Sequence, residues 1–311
     1  MEQNLLEIKN LRVHYVTDTE DVQAVNGVDL HLKKGEVLGL VGETGAGKTT
    51  VALSVMQLVP DPPGIILDGE ILFKGRNLIY NSDRENQEMR GNGISMIFQD
   101  PMTALNPIMT IGQQLAEVVI KHKKLSKKAA MEVAAEMLER VGVTRDRIND
   151  YPHQFSGGMK QRAIIAMALL CNPEILIADE PTTALDVTIQ AQVLEIIRSL
   201  IRENEMSMIL ITHDLGVVAE TCDQVAIMYA GEVVEYGSVW DVYTNPKHPY
   251  TRGLFDSIPK MDVDDERLSP IPGLAPNSTA LPSGCYFHPR CKYCQERCRE
   301  QSPAMKGDTH Q

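Results

Sequence analysis

The chain has 311 residues, 43% of them hydrophobic and 23% charged, an ordinary composition for a globular protein of one large domain with an appendage, or of two domains. Its formal net charge of -12 repels nucleic acid and anionic lipid, so we expect any membrane association to run through a protein partner. No apolar run approaches the roughly 20 residues of a membrane span, and residues 1–4 lack a signal-peptide pattern, so we expect a cytosolic protein.

The first part of the chain has the apolar alternation of antiparallel strands. Residues 5–15 and 22–32 alternate largely between apolar and polar side chains, as expected for strands that are covered on one face. They predict a small β layer. Tyr15 could stack on a purine ring there, although an aromatic residue in a strand more often only packs.

A glycine-rich loop follows a predicted buried strand at 37–41 and opens a predicted helix at 51–56. It fits G-x-x-x-x-G-K-[ST], in which backbone N–H groups and a helix N-terminus surround phosphates. The residues of this loop are Gly42, Glu43, Thr44, Gly45, Ala46, Gly47, Lys48, Thr49 and Thr50. Lys48 would contact the β- and γ-phosphates of a nucleoside triphosphate, and Thr49 would offer a hydroxyl to Mg²⁺. A glycine turn that binds nothing is the alternative, and the flanking strand and helix disfavour it.

The middle of the chain changes in character from strands to helices. The sequence predicts in order a turn, two strands and three helices, at residues 61–64, 69–73, 94–98, 111–121, 126–141 and 156–168. We therefore expect a helical insertion at about 101–165.

A parallel-sheet pattern then returns. The sequence predicts a strand, a helix and three further strands, at residues 174–178, 188–203, 208–211, 224–229 and 232–236. Prolines, short acidic runs and cysteines follow, so we place a domain boundary near residue 240. It separates a nucleotide-binding domain, 1–240, from a C-terminal extension, 241–311.

Polar residues stand at predicted carboxyl ends of strands, where ligands bind in an open α/β sheet. Asp179 and Glu180 follow one strand, and Gln99 and His213 end two others. Asp179 would hold the Mg²⁺ bound to Thr49, and Glu180 would polarise the attacking water. Gln99 and His213 would orient that water and sense the γ-phosphate. Each residue taken singly is more often a solvated strand end or a helix cap.

Ser156, Gly157 and Gly158 form a second helix start that suits a phosphate. One interpretation is a capped helix whose glycines allow close packing. The other is that this helix start meets a nucleotide held by another chain.

Four of the six cysteines share one short stretch with the spacing C-x5-C-x2-C-x3-C, namely Cys285, Cys291, Cys294 and Cys298. In a reducing compartment such a group predicts a metal centre before it predicts disulfides. Tetrahedral Zn²⁺ and an iron–sulfur cluster both accept four cysteines. Zinc ribbons usually show two separated C-x2-C pairs, whereas this single group is closer to ferredoxin spacing, so we expect a structural 4Fe–4S cluster with Zn²⁺ as the alternative.

Together the motifs resemble the nucleotide-binding subunit of an ATP-binding-cassette transporter over about residues 5–240. The matching positions are residues 42–49, Gln99, residues 156–161, Asp179-Glu180, Ala184-Leu185-Asp186 and His213. The resemblance implies an α/β P-loop NTPase fold with a RecA-like core, an antiparallel β subdomain and a helical subdomain, here followed by the small Cys-rich extension.

The resemblance also implies ATP and Mg²⁺ as ligands, with Thr49, Gln99 and Asp179 at the metal. It implies a head-to-tail dimer with ATP sandwiched between the loop of one subunit and residues 156–158 of the other. The other implied roles are a catalytic base, a cross-interface contact and an adenine platform, at Glu180, Asp186 and Tyr15.

Residues 99–107, 155–159 and 245–251 narrow the resemblance to the ATPase subunits of bacterial dipeptide and oligopeptide importers. Some of these carry a 4Fe–4S cluster in the tail. The likeness implies an ATPase at the cytoplasmic face of the cell membrane, paired with a paralogous or identical subunit. Two permease subunits and an extracellular or periplasmic solute-binding protein would be its further partners, with no nucleic acid.

The sequence leaves the solute open, because nickel or sugar importers of the same subfamily would look similar. Two other classes of function fit the sequence less well. A cassette ATPase of DNA repair or chromosome organisation would carry a long coiled coil between Gln99 and Ser156, whereas this insertion is short. A ribosome-associated cassette factor would carry two cassettes in one chain, and this sequence has one phosphate loop.

Overall fold

The computed structural model describes residues 4–100, 104–182, 185–257, 270–307 and 310–311. The chain forms two compact units, each built from segments that are far apart in the sequence. The first unit contains residues 32–37 and 80–211. The second contains residues 5–31, 38–79 and the described residues from 212 onward.

The strands and helices are numbered separately in chain order. The strands are β1 (Leu6–Val16), β2 (Asp21–Leu32), β3 (Val37–Val41), β4 (Gly64–Phe73), β5 (Arg76–Asn77), β6 (Ile94–Ile97), β7 (Ile175–Asp179), β8 (Ser207–Thr212), β9 (Gln224–Tyr229) and β10 (Glu232–Ser238). The helices are α1 (Lys48–Val55), α2 (Asp83–Met89), α3 (Ile111–Lys123), α4 (Lys127–Arg140), α5 (Gly157–Leu169), α6 (Val187–Glu203), α7 (Leu215–Thr221), α8 (Val239–Thr244), α9 (Pro249–Asp256) and α10 (Glu296–Glu300).

The first unit is built on parallel strands that are buried along their whole length. β7 pairs in parallel with both β6 and β8. All residues of β6, β7 and β8 are buried, which explains why these strands are continuous apolar runs instead of alternating ones. Four helices of this unit begin at a hydroxyl side chain that accepts a backbone N–H, as Ser82, Thr110, Ser126 and Ser156 cap α2, α3, α4 and α5.

The second unit contains an antiparallel sheet in the order β2-β1-β4-β5. The pairing of β1 with β4 is interrupted by bulges between Lys9 and Val13. Gly69 lies opposite this irregularity with a φ of +108°, and a Cβ there would stand 2.7 Å from the Leu11 Cα. The bulge therefore requires glycine at this position.

The same unit holds β3 against β9 in parallel, and β9 against β10 in antiparallel orientation. β3 leads into the glycine-rich loop and α1. A hydrophobic cluster joins the end of β3 to β9 and to the C-terminal part of the chain, and it includes Val41, Tyr229, Tyr250 and Phe287.

Most predicted elements are confirmed, with two differences. β4 begins at Gly64 and not at residue 69, because Gly69 is a bulge within the strand and not its start. The sequence analysis did not predict β5, α2, α7, α8, α9 and α10. The helical subdomain at about 101–165 and the boundary near residue 240 stay predictions, and residues 101–103 lie outside the described residues. Among the helices that the structure describes, none is both long and apolar enough to cross a membrane.

Candidate functional site

The glycine-rich loop lies in the second unit, and two of its glycines are required by close backbone contacts. A Cβ on Gly42 would stand 2.2 Å from the carbonyl oxygen of Met228. Gly47 has a φ of +99°, and a Cβ there would stand 2.4 Å from the carbonyl oxygen of Ala24. Thr44, Gly45 and Thr49 are exposed, so the loop presents its outer edge to solvent while its ends are fixed against neighbouring backbone.

Lys48 is buried and directed along the loop. Its ammonium Nζ donates to the carbonyl oxygen of Gly42 at 2.7 Å and to that of Glu43 at 3.0 Å. Tyr15 lies near the following helix, since its hydroxyl is 3.4 Å from the Thr50 Oγ1. A fixed cation, exposed backbone and the start of α1 together make an anion-binding loop.

Two side chains from the C-terminal part of the second unit contact this loop, and the sequence analysis did not predict them. The Tyr250 hydroxyl accepts a hydrogen bond from the Glu43 backbone N–H at 3.0 Å. Arg290 forms a salt bridge with the Glu43 carboxylate, with an Nη1 to Oε2 distance of 2.9 Å. More than 200 residues separate each side chain from the loop, so no local pattern could have indicated these contacts.

The predicted acids lie in the first unit at the end of β7. Asp179 is buried, and Glu180 is half-buried with a left-handed φ of +46°. The Glu180 backbone N–H donates to the carbonyl oxygen of Ile211 at 2.9 Å. Gln99 Nε2 donates to Glu180 Oε2 at 3.1 Å. The structure therefore brings together two residues that were predicted to share a site.

Ser156 caps α5, since its hydroxyl accepts the backbone N–H of Met159 at 3.3 Å. Gly158 is packed, because a Cβ there would meet the Ile189 Cγ2 at 3.0 Å. Gly157 is different, since a Cβ would have nothing within 4 Å. Contacts within the described chain therefore account for Ser156 and Gly158 and give no reason for glycine at position 157.

Asp186 caps α6 in the first unit, where its carboxylate accepts the Ile189 backbone N–H at 3.0 Å. Ala184, which belongs to the same motif, lies outside the described residues. His213 belongs to the second unit and directly follows β8. The predicted site residues are thus divided between the two units: Gln99, Ser156, Gly157, Gly158, Asp179, Glu180 and Asp186 in the first, and Tyr15, the loop and His213 in the second.

The prediction of an iron–sulfur cluster at Cys285, Cys291, Cys294 and Cys298 is wrong. Across the described residues, which include all four cysteines, no group of three or more His, Cys, Asp or Glu side chains is arranged to hold a metal ion. Burial is the main cause that raises the pKa of the Cys285 and Cys291 thiols. Both side chains pack against the hydrophobic cluster. The same arrangement gives no support to the Zn²⁺ alternative.

Comparison with known proteins identifies the family. Residues 25–183 match the family model described as "ABC transporter", and residues 234–298 match the one described as "Oligopeptide/dipeptide transporter, C-terminal region". The chain is 51% identical to the oligopeptide transport ATP-binding protein OppD of Bacillus subtilis (strain 168), over 98% of this chain and 87% of that protein. It is 50% identical to the dipeptide transport ATP-binding protein DppD of the same organism, over 99% and 93% of the two chains.

A solved structure agrees with this assignment. The fold is similar to a dimeric, post-hydrolysis state of the ATP-binding cassette MJ0796 bound to ADP and Pi, with 27% identity and a TM-score of 0.68. The similarity covers 75% of this chain and 98% of that one. The glycine-rich loop, the acids Asp179 and Glu180 and the Ser156 helix start all fall within the matched residues 25–183. The chain belongs to the ABC transporter family of ATP-binding cassettes.

Proposed function

We propose that this protein is the ATP-binding and ATP-hydrolysing subunit of an importer for dipeptides or oligopeptides. The observation that carries the proposal is the similarity over nearly the whole chain to two peptide-transport ATP-binding proteins. It is supported by the match of residues 234–298 to the oligopeptide/dipeptide transporter region, which lies outside the cassette match.

In this proposal the glycine-rich loop binds the triphosphate of ATP, and the Lys48 ammonium neutralises its β- and γ-phosphates. The donors needed for Mg²⁺ are oxygen atoms, and Thr49, Gln99 and Asp179 would supply them. When bound, the ion would neutralise charge on the phosphates. Tyr15 would support the adenine.

Glu180 is the proposed catalytic base. Its carboxylate accepts a hydrogen bond from Gln99, which orients it, and its left-handed φ of +46° is the kind of backbone strain that occurs at functional sites. His213 would sense the γ-phosphate. Phosphoryl transfer requires mainly correct position and charge from the protein, and these residues would provide both.

We propose that the ATP-binding site is completed by a second ATPase subunit, identical or paralogous, in a head-to-tail dimer. Ser156, Gly157 and Gly158 of one subunit would cover the nucleotide held by the other, with Asp186 as a contact across the interface. The open space around Gly157 supports this arrangement, since glycine there would leave room for a partner's ligand. The dimeric state of the cassette MJ0796 is a further support.

The proposed partners are two membrane permease subunits and an extracellular or periplasmic solute-binding protein. The ATPase would sit at the cytoplasmic face of the cell membrane as a peripheral subunit, with residues 241–311 as a family-specific, Cys-containing extension. Closure of the ATPase dimer on ATP would then drive the permease between its conformations.

Uptake measurements in a strain that lacks the chromosomal gene test the function. We expect the wild-type gene to restore uptake of labelled dipeptides or oligopeptides, and the Glu180→Gln variant to fail although it is produced at the same level. Restored uptake of nickel or of a sugar, with no peptide uptake, would contradict the proposed solute class. Equal uptake with and without the gene would contradict the transport function.

A further inference from the structure

Glu43, the second residue of the phosphate loop, is held at both its backbone and its side chain by the C-terminal part of the second unit. Its N–H donates to the Tyr250 hydroxyl at 3.0 Å. Its carboxylate accepts two hydrogen bonds from Arg290, at 2.9 Å from Nη1 and 3.2 Å from Nη2. A two-point guanidinium–carboxylate contact fixes orientation as well as distance.

Arg290 is itself immobilised by several contacts. Its side chain is only 7% exposed. Nε donates to the Pro272 carbonyl oxygen at 3.0 Å, and Nη1 also donates to the Tyr229 hydroxyl at 3.3 Å. The guanidinium carbon lies 5.8 Å from the centre of the Tyr229 ring, within the range of a cation–π contact. The Arg290 guanidinium that binds the Glu43 carboxylate is therefore already held in place in the absence of a ligand.

The aromatic residues behind this contact form a tightly packed group. Tyr229, Tyr250 and Phe287 are all buried. The centre of the Tyr229 ring is 4.6 Å from that of Tyr250 and 5.2 Å from that of Phe287. Val41, the residue before the loop begins, belongs to the same cluster. The support thus has the rigidity of a packed core.

Glu43 is also the link between this support and the phosphate-binding cation. The Lys48 ammonium donates to the Glu43 carbonyl oxygen at 3.0 Å. Displacement of Glu43 would therefore move an acceptor that directs Lys48, together with the peptide that begins the turn around the phosphates.

We propose that Arg290 and Tyr250 are positioning residues for ATP binding, which hold Glu43 and, through it, Lys48 in the conformation that accepts the triphosphate. The inference rests on the proposed ATP-binding role of the loop. It gives the C-terminal region a part in the nucleotide site of its own subunit, through residues that touch neither ATP nor the attacking water.

A role limited to stability is the alternative, and the two make different predictions. A buried ion pair often contributes little net stability, because removing both charges from water costs about as much as their attraction returns. If Arg290 and Tyr250 instead position the loop, their loss lowers the affinity for ATP, because a loop that samples other conformations must be ordered again when ATP binds.

The test uses the full-length purified chain and measures the Kd of MgATP by calorimetry together with thermal unfolding. For Arg290→Gln we expect the Kd to rise about tenfold, which corresponds to about 1.4 kcal/mol. Arg290→Lys keeps the charge but cannot form the fork, so we expect a smaller rise of about three- to fivefold. Tyr250→Phe removes the acceptor of the Glu43 N–H and should also weaken binding. In ATPase assays KM should rise while kcat at saturating ATP stays within about twofold.

The double variant Arg290→Gln with Glu43→Gln tests whether the pair acts as one unit. We expect the Kd of the double variant to match that of whichever single variant, Arg290→Gln or Glu43→Gln, binds MgATP more weakly. The second substitution removes a contact that is already lost. Arg297→Gln is the matched control, since Arg297 is an exposed arginine of the same region, and its Kd should equal that of the wild type.

Folded Arg290→Lys and Tyr250→Phe variants that bind MgATP with the wild-type Kd would overturn the inference, even if Arg290→Gln does not fold. A fall in kcat with unchanged KM would overturn it as well. A wild-type chain that does not bind MgATP would instead overturn the proposed function, so the two failures are distinguishable.

Discussion

Glu180 has a backbone conformation that a glutamate adopts only at a cost of roughly 1 to 2 kcal/mol. Its φ is +46°, and its N–H is fixed by the Ile211 carbonyl oxygen. Asp179, the residue before it, ends the buried strand β7. The turn of the backbone at Glu180 thus directs two successive carboxylates differently, one into the interior and one towards Gln99.

At this residue we predict that Glu180→Gln abolishes ATP turnover and leaves ATP binding intact. The amide is nearly the same size as the carboxylate but cannot take a proton from water, so we expect kcat to fall at least about 100-fold. The Kd of MgATP should stay within about twofold of the wild-type value. Measurement of phosphate release and of nucleotide binding on the same preparations checks both.

Glu195→Gln is the control for this experiment, because Glu195 is an exposed glutamate of α6 in the same unit. It should hydrolyse ATP at the wild-type rate. Wild-type turnover by Glu180→Gln would remove Glu180 from the role of base.

The N-terminus of α5 combines a structural and a proposed functional role in adjacent residues. Ser156 satisfies a backbone N–H of the helix, whereas Gly157 faces open space. Capping alone would allow almost any residue at the first position of the helix. The element therefore offers a way to separate folding from dimer formation.

We predict that Gly157→Leu folds normally and fails to dimerise on ATP. Since a Cβ at position 157 has nothing within 4 Å, we expect the free energy of unfolding to change by no more than about 0.5 kcal/mol. In a Glu180→Gln background, where ATP would not be hydrolysed, size-exclusion chromatography with light scattering should show a dimer for the parent chain and a monomer for Gly157→Leu.

Lys127→Leu provides the matched control, because Lys127 is the exposed first residue of α4, which is also capped by a serine. This variant should dimerise like its parent. A dimer formed by the Gly157→Leu chain would count against the sandwich arrangement.

Individual elements show why sequence predicts some of the fold and misses the rest. β7 and β8 were predictable because fully buried parallel strands are continuous apolar runs. α2 was missed although Ser82 and Glu85 form a complete capping box, a signal that the sequence carries. β4 was placed too late because Gly69, a bulge residue, looks like a turn.

The candidate site likewise has a part that the sequence predicts and a part that it does not. The glycine-rich loop and the acids Asp179 and Glu180 at the end of β7 were predictable because the residues of each motif are contiguous. The contact of Arg290 with Glu43 was not, because it joins positions 247 residues apart. The cysteine spacing suggested a metal centre because the four residues are close along the chain. Spacing does not show whether the thiols are buried or whether they converge on one point.

On the scale of the whole molecule, two half-buried groups with opposite titration behaviour shape the pH dependence of stability. Burial raises the pKa of Glu232 from 4.5 to about 7. Burial also lowers the pKa of His248 from 6.5 to about 4, and the His248 Nδ1 accepts the Tyr250 N–H as the cap of α9. Burial therefore favours the neutral form of both groups.

The signs of these effects are opposite. Between pH 4.5 and about 7 the unfolded chain releases the Glu232 proton while the folded chain keeps it, so this group lowers stability as pH rises. Between pH 6.5 and about 4 the unfolded chain takes up a proton at His248 while the folded chain does not, so this group lowers stability as pH falls. The two contributions oppose each other between pH 4.5 and 6.5.

We predict that single substitutions reveal each contribution. Relative to wild type, the free energy of unfolding of Glu232→Gln should rise by about 1 to 2 kcal/mol as pH rises from 4.5 to 7. This is less than the full pKa shift implies, because Glu232 is only half-buried. His248→Asn, which retains a capping side chain, should gain stability relative to wild type as pH falls from 6.5 to 4. Urea unfolding across this pH range measures both differences. Parallel pH profiles for wild type and variants would contradict the prediction.

The distance along the chain between the phosphate loop and its supports also matters during synthesis. β3 pairs with β9, and Glu43 pairs with a residue 247 positions later. At about 5 to 20 residues per second, a ribosome needs about 12 to 50 s to produce that stretch. During this time the nascent chain carries a complete nucleotide-binding motif that lacks its parallel strand partner and its arginine. A newly made subunit therefore acquires a supported loop only after Arg290 has been synthesised.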